Sequence, residues 1–259
     1  MLLKRNLLFK IFVAFLAFVM VFTTVYWVFA AGIDEAEMTA SAIMLLDQDT
    51  GTVLYEKNPD AKIAPASTTK IMTALVALDH LQLTDEITVG AEVSVSGSLM
   101  GLKPGQTVTV ETLLYGMFLS SGNDAAVALA VKVAGSTDQF AALMNQKAAA
   151  LGCTGTHFVN PNGLNDSNHY TTPYDMALIA RAAFQNDTLR KIDTTLSYKF
   201  PATKNAGERT ITMGHKMMYP TDSRYYEGII GGKTGYTSKA GNTLVTGAQR
   251  NGVRLIAVV

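Results

Sequence analysis

Cysteine is nearly missing from this chain. Cys153 stands alone among 259 residues, which excludes an internal disulfide framework and any thiolate metal cluster. The four histidines, His80, His157, His169 and His215, show neither H-x-x-x-H nor H-E-x-x-H spacing, so no metal site is expected, and nothing calls for a cofactor. No serine has glycine at both −2 and +2, which removes the nucleophile elbow. Gly232-Lys233-Thr234 is similar to the end of a phosphate loop, but the glycine required five residues earlier is Glu227. Gly235-Tyr236-Thr237 then continues in an extended pattern, so nucleotide binding is excluded. Charge is sparse at 16%, and the 48% of hydrophobic residues excludes intrinsic disorder. No acidic residue precedes Asp34, whereas Lys4, Arg5 and Lys10 crowd the start. The formal net charge of +0 therefore conceals a mildly acidic body, with 18 basic residues against 21 acidic ones once those three are set aside. Such a body, with no basic cluster, argues against nucleic acid as a partner.

What the sequence does have begins with an address. Residues 11–31 read IFVAFLAFVMVFTTVYWVFAA, an uncharged run behind three basic residues. That layout predicts a secretory signal, with Val28 and Ala30 as the small residues before a cut after Ala30, or an uncleaved anchor of similar length. Either way the basic end stays inside and the body is exported. Residues 31–40 read as a linker, and residues 41–259 are long enough for a sizeable core.

Strand patterns open and close this body. Ile43–Leu46 and Thr52–Tyr55 flank Asp47–Gly51 as a hairpin, and Thr243–Gln249 and Val253–Val259 flank Arg250-Asn251-Gly252 as another. A strand from Tyr226 leads into Gly231-Gly232-Lys233-Thr234-Gly235. Pro65-Ala66-Ser67 opens a helix whose apolar face is Ile71, Ala74, Leu75 and Leu78. Glu86–Val95 reads as extended, and Val108–Val110 as a short strand. Further helices fit Val110–Leu119, Asp124–Ala134 with Asn123 or Asp124 as N-cap, Thr137–Leu151, and Tyr174–Phe184. The expected class is α/β (α+β): an antiparallel sheet from both chain ends with an inserted helical lobe. The strand pattern still running at Val259 predicts a chain cut before its natural end.

Three short elements carry chemistry. In Ser67-Thr68-Thr69-Lys70 the hydroxyl and the amine share one helical face at i and i+3, beside the free N–H groups of a helix start. A serine needs a base, and lysine serves as one only if burial or a nearby positive charge lowers its pKa. Ser121-Gly122-Asn123 offers a hydroxyl and a carboxamide in a tight loop, with Ser121 able to relay a proton and Asn123 able to hold a substrate amide and orient Lys70. Lys233-Thr234-Gly235 supplies a cation and a hydroxyl on a strand, with a glycine that permits close approach to the backbone. Each element alone is ordinary: a cap, a loop, a strand lysine. Together, in this order, they match the S-x-x-K, S-D-N and K-T-G signature of penicillin-binding proteins and class A β-lactamases, with Gly122 in place of the aspartate.

The wider chain resembles the low-molecular-mass penicillin-binding proteins that are serine-type D-alanyl-D-alanine carboxypeptidases, the DacA/DacF-like group. The likeness runs through PASTTKIMTAL from Pro65, SGNDAAVAL from Ser121, THFVNPNGL from Thr156, HYTTP from His169 and GKTGYTSKAG from Gly232. It implies removal of the terminal D-Ala from peptidoglycan stem pentapeptides at the outer face of the cytoplasmic membrane, and acylation by β-lactams. Carried onto this sequence, it makes Ser67 the nucleophile, Lys70 its base and Ser121 the proton relay. Asn123, Lys233, Thr234 and Gly235 bind substrate, and the backbone N–H groups of Ser67 and Tyr236 form the oxyanion hole. It assigns His157, Asn160 and Pro161 no chemistry, and they are read as structural. Relatives continue into a further helix and a β-rich domain not found here. A class A-like β-lactamase is the nearest rival, but its E-x-x-L-N string is absent and Glu111-Thr112-Leu113-Leu114-Tyr115 comes nearest. A catalytically silent peptidoglycan-binding protein is a second rival, and a cross-linking transpeptidase working through the same acyl-enzyme is a third.

Overall fold

The computed structural model describes residues 38–202 and 207–259, so the expected signal, residues 1–30, and most of the expected linker lie outside the described residues. Among the described residues no helix is long and apolar enough to cross a membrane. Residues 41–259 form a single compact unit. Its main sheet has five antiparallel strands in the order β2-β1-β9-β8-β7, where β1 is Ile43–Asp47, β2 Val53–Lys57, β7 Ile229–Thr237, β8 Gly241–Arg250 and β9 Val253–Val258. The first strand thus pairs with the last, Met44 opposite Val258 and Asp47 opposite Leu255, as the expectation of a sheet from both chain ends required. The Asn251-Gly252 turn that joins β8 to β9 takes positive φ at both residues, 50° and 82°, the backbone that a two-residue hairpin demands. Strand β7 begins at Ile229, three residues later than expected from Tyr226.

Helices fill the interval. They are α1 (Thr69–His80), α2 (Val110–Leu119), α3 (Asn123–Ala134), α4 (Thr137–Ala150), α5 (Pro173–Gln185) and α6 (Asp187–Asp193). Capping sets several of the starts. The side chains of Thr109, Ser136, Thr172 and Asn186 accept from Thr112, Gln139, Asp175 and Leu189 backbone N–H groups, and Pro173 supplies the fixed φ of a first turn. Helix α5 lies across β1, β8 and β9, and its Phe184 presses onto the sheet where Gly247 and Gly231 have no side chain. A Cβ at Gly247 would stand 2.9 Å from the Phe184 ring.

Helix α1 departs from its expected single apolar face. Every residue from Thr69 to Ala77 is buried, because α1 is enclosed by α3, α4 and α5. A helix buried all round lets polar side chains such as Thr69, Lys70 and Thr73 be placed with little freedom, provided each finds a partner. Glu86–Val95, read as extended, keeps only a three-residue strand, β3 (Glu86–Thr88), paired with β4 (Thr107–Thr109), before a 3-10 turn at Ala91–Val93. Helix α6 and the hairpin of β5 (Ser197–Phe200) and β6 (Arg209–Thr212) add to the elements that the sequence patterns predict.

Candidate active site

Ser67 stands on the 3-10 turn Ala66–Thr68 that feeds α1, half-buried at the mouth of a cleft of about 730 Å³. The turn is tight enough to force Ala66 to φ 49°, a left-handed conformation that costs a non-glycine residue roughly 1–2 kcal/mol. Thr68 secures it by donating its hydroxyl and its N–H to the Pro65 carbonyl, at 2.7 and 3.3 Å. Ser121, Thr234, Gly235 and Tyr236 line the same cleft, with Ser98, Gly214, His215, Lys216 and Arg224 around them.

Lys70 is fully buried directly beneath Ser67. Its Nζ donates to Ser67 Oγ at 2.9 Å, to Asn123 Oδ1 at 2.8 Å and to the Asn162 carbonyl at 2.6 Å. Burial, then the nearby positive charge of Lys233, holds this ammonium well below its ordinary value, while Asp124 opposes them. These are the two conditions under which a lysine becomes a base. Lys233 is itself 2% exposed and pushed down to about 8, chiefly by burial. Its Nζ donates to the Thr234 carbonyl at 2.7 Å, so it sits below the cleft surface while Thr234 forms the wall.

Asn123 and Asp124 do not cap α3, contrary to expectation. Gly122 occupies the N-cap position, with no side-chain hydrogen bond. Both side chains are drawn elsewhere. Asn123 Nδ2 donates to Ser96 O at 2.7 Å while its oxygen takes Lys70. The Asp124 carboxylate accepts the N–H groups of Met100, Gly101 and Leu102 at 2.9, 2.7 and 2.9 Å. The pair therefore ties the loop 96–102, which carries the cleft residue Ser98, to the start of α3. Ser121, just before it, has φ 57°, a second non-glycine residue held left-handed at the cleft.

Gly235 permits a close approach, but it is the Ala66–Ser67 segment that comes near. A Cβ at Gly235 would stand 2.4 Å from Thr243 Oγ1, 2.9 Å from the Ser67 nitrogen and 3.0 Å from Ala66 Cβ. Strand β7 and the Ser67 turn are thereby pressed together, with the Ser67 N–H alongside the strand that bears Tyr236.

One contributor had no warning in the residue types. The turn Asn160-Pro161-Asn162-Gly163 forms the rear wall: Asn162 O takes Lys70, and Pro161 O accepts the Thr73 hydroxyl at 2.6 Å. Asn160 Oδ1 holds the turn by accepting from Asn162 and Gly163 N–H groups. His169 pins it from outside, accepting from Val159 N–H at Nδ1 and meeting Thr69 Oγ1 at 2.9 Å through Nε2. His157, read as structural, bridges to Asn168 O at Nδ1. A turn is legible in Asn-Pro-Asn-Gly. That its carbonyl meets a lysine 92 positions away is not. Among the described residues no group of three or more His, Cys, Asp or Glu side chains could hold a metal.

An antiparallel sheet backed by helices, with a serine–lysine pair where the two meet, marks the class that holds the penicillin-binding DD-peptidases and the class A β-lactamases. Residues 29–259 match the peptidase S11 family, described as D-alanyl-D-alanine carboxypeptidase. The chain is 36% identical over 231 residues to the D-alanyl-D-alanine carboxypeptidase DacF of Bacillus subtilis, covering 87% of this chain and 58% of that protein. It is 39% identical over 220 residues to DacB2 of Mycobacterium tuberculosis, covering 84% and 73%. A crystal structure of D-alanyl-D-alanine carboxypeptidase from the same mycobacterium superposes with TM-score 0.79 at 38% identity, covering 85% of this chain and 81% of that one. This chain belongs to the S11 family of D-alanyl-D-alanine carboxypeptidases. It spans less than two thirds of the length of DacF.

Proposed function

We propose that this chain is a serine D-Ala-D-Ala carboxypeptidase that removes the terminal D-alanine of peptidoglycan stem pentapeptides through an acyl-enzyme. The arrangement at Lys70 carries the reading. A neutral amine has two N–H groups and one lone pair. Asn123 Oδ1 and Asn162 O take the two N–H groups, and the lone pair is left facing Ser67 Oγ at 2.9 Å. Ser67 Oγ then attacks the carbonyl carbon of the D-Ala–D-Ala bond while its proton passes to Lys70 Nζ. The oxyanion is met by the N–H groups of Ser67 and Tyr236; such donors are worth about 10²–10³ each in rate. Lys70 returns that proton through the Ser121 hydroxyl to the departing D-Ala nitrogen, the C–N bond breaks, and an ester on Ser67 remains. Water hydrolyses this ester, releasing the shortened peptide and restoring the Ser67 hydroxyl. Asn123 holds the peptide, Lys233 supplies the field that draws the terminal carboxylate, Thr234 offers it a hydroxyl and Gly235 keeps β7 close. A β-lactam follows the same first step, but its amine stays tethered, so the adduct persists. The reading places residues 41–259 as the peptidase unit, outside the cytoplasmic membrane. Residues 1–30 are its export signal or anchor, and residues 31–40 are the linker.

The test is to incubate the full chain with benzylpenicillin and follow intact mass, then map the adduct. A stable adduct on Ser67, D-Ala release from a pentapeptide, and loss of both in Ser67→Ala are expected. Rapid turnover of the drug would mark a β-lactamase. Absence of both adduct and D-Ala release would sink the enzymatic reading.

A further inference from the structure

One buried polar side chain at the cleft has no part in the chemistry above. His215 precedes the 3-10 turn Lys216–Met218 and lines the cleft with Ser67, Ser121 and Thr234. It is 2% exposed, and neither ring nitrogen has a hydrogen-bond partner among the described residues. The ring packs against β7 where Gly232 has no side chain. A Cβ there would be 2.7 Å from His215 Cε1 and 2.9 Å from Nδ1. This sets the imidazole beside the residue that precedes Lys233, close enough for the lysine charge to act on it. Burial, then that charge, pushes the ring down to about 4, so at neutral pH it carries one N–H and one bare nitrogen.

A buried polar group without a partner is costly, and a ligand group that reaches it removes that cost. The neighbourhood says which kind of ligand. Lys233 draws an anion towards this flank of β7 but sits beneath the surface, with its Nζ turned to Thr234 O. His215 lines the cleft, and its neutral imidazole can donate there without adding charge. Asp193 Oδ1 is also unpartnered, but Asp193 is not part of the cleft lining, and its Oδ2 is taken by the Gly232 N–H at 2.6 Å.

We propose that His215 is a positioning residue of the substrate cleft, whose ring N–H donates to the C-terminal carboxylate of an acyl-D-alanyl-D-alanine ligand drawn in by Lys233. The proposal rests on the function argued above and narrows it to one group of the substrate. It is tested on the full chain with two peptides, an acyl-D-Ala-D-Ala acid and its C-terminal amide, against the parent, His215→Ala and His215→Asn. For the acid, His215→Ala should raise KM about 10- to 100-fold with a smaller change in kcat, as expected for loss of a hydrogen bond to a charged group. His215→Asn, which keeps an N–H donor, should recover most of that loss. For the amide the penalty should shrink to within about threefold. Equal penalties on acid and amide, or no penalty on either, overturn the proposal. Binding of both peptides to Ser67→Ala, followed by the imidazole ¹⁵N resonances of His215, separates this from the function itself. Resonances that move with the acid and not with the amide sustain the carboxylate contact even if the parent releases no D-Ala. Resonances that move with neither overturn it.

Discussion

Replacing Gly163 by alanine tests the rear wall of the site without touching a reactive group. Gly163 has φ 87°, and a Cβ there would stand 1.8 Å from the Ala66 carbonyl oxygen and 2.4 Å from its carbon. Both are backbone atoms, so no side-chain rotation relieves the contact. To reach even 3.0 Å, the shortest separation that real Cβ atoms tolerate, the two segments must part by about 1.2 Å. Ala66 immediately precedes Ser67, and Asn162 O holds Lys70, so the parting acts on the 2.9 Å Ser67–Lys70 contact from both sides. A misplacement of about 1 Å in an attacking group costs on the order of 10² in rate, or about 2.7 kcal/mol of activation free energy. The left-handed φ adds roughly 1–2 kcal/mol of strain, a Tm fall of roughly 2–8 °C for a domain of this size. Gly163→Ala should therefore fold, melt a few degrees lower, and be acylated by benzylpenicillin about 100-fold more slowly, as read by quenched-flow intact mass. Acylation within threefold of the parent would refute the claim that this turn positions Ser67 and Lys70.

Further expectations follow from the same contacts. Lys70→Arg keeps N–H donors for similar partners but cannot act as a base, so acylation should fall about 10²–10⁴-fold with Ser67 still present, measured as the rate of adduct formation. Asp124→Asn leaves an amide facing three backbone N–H donors, which should cost on the order of 3 kcal/mol in urea denaturation; a change below 1 kcal/mol would show that the loop 96–102 is held by other means. His169 and His215 are both held down to about 4 by burial, below the ordinary 6.5. Below pH 6.5 the unfolded chain therefore binds their protons more readily, and stability is lost as pH falls from about 6.5 to about 4. Asp193, pushed up by burial to about 7, has the opposite sign: its contribution is full below about 4 and is lost as pH rises through 7. Asp193→Asn should accordingly steepen the acid loss between pH 7.5 and 4.5, and equal slopes in the two proteins would contradict the assignment.

Legibility in the sequence follows how local the cause is. Helix α2 carries its own periodicity and the Thr109 cap, and its observed bounds are those the residues predict. The Asn251-Gly252 hairpin is written in two residues. Asn123 and Asp124 show where this fails, because both look like caps and both serve distant partners instead. The local preference of a short polar side chain for its own helix start is worth about 1 kcal/mol, and a buried ammonium or three unpaired N–H groups outweigh it. Helix α6 and the β5–β6 hairpin are unreadable for the same reason: short elements depend on what they pack against.

The residues by themselves determined the chemistry on offer: a serine and a lysine one helical turn apart, a Ser-Gly-Asn loop, a Lys-Thr-Gly strand, and a sheet drawn from both ends of residues 41–259. Hydroxyls, amines and periodicities are properties of a chain, so they can be read along it. Only the tertiary structure decided what surrounds each of these groups. It buried Lys70 completely, set Lys233 near enough to lower its pKa, and gave its N–H groups Asn123 Oδ1 and a main-chain carbonyl from Asn162. Burial, field and a carbonyl partner arise from segments meeting across long stretches of sequence, and no residue carries them alone.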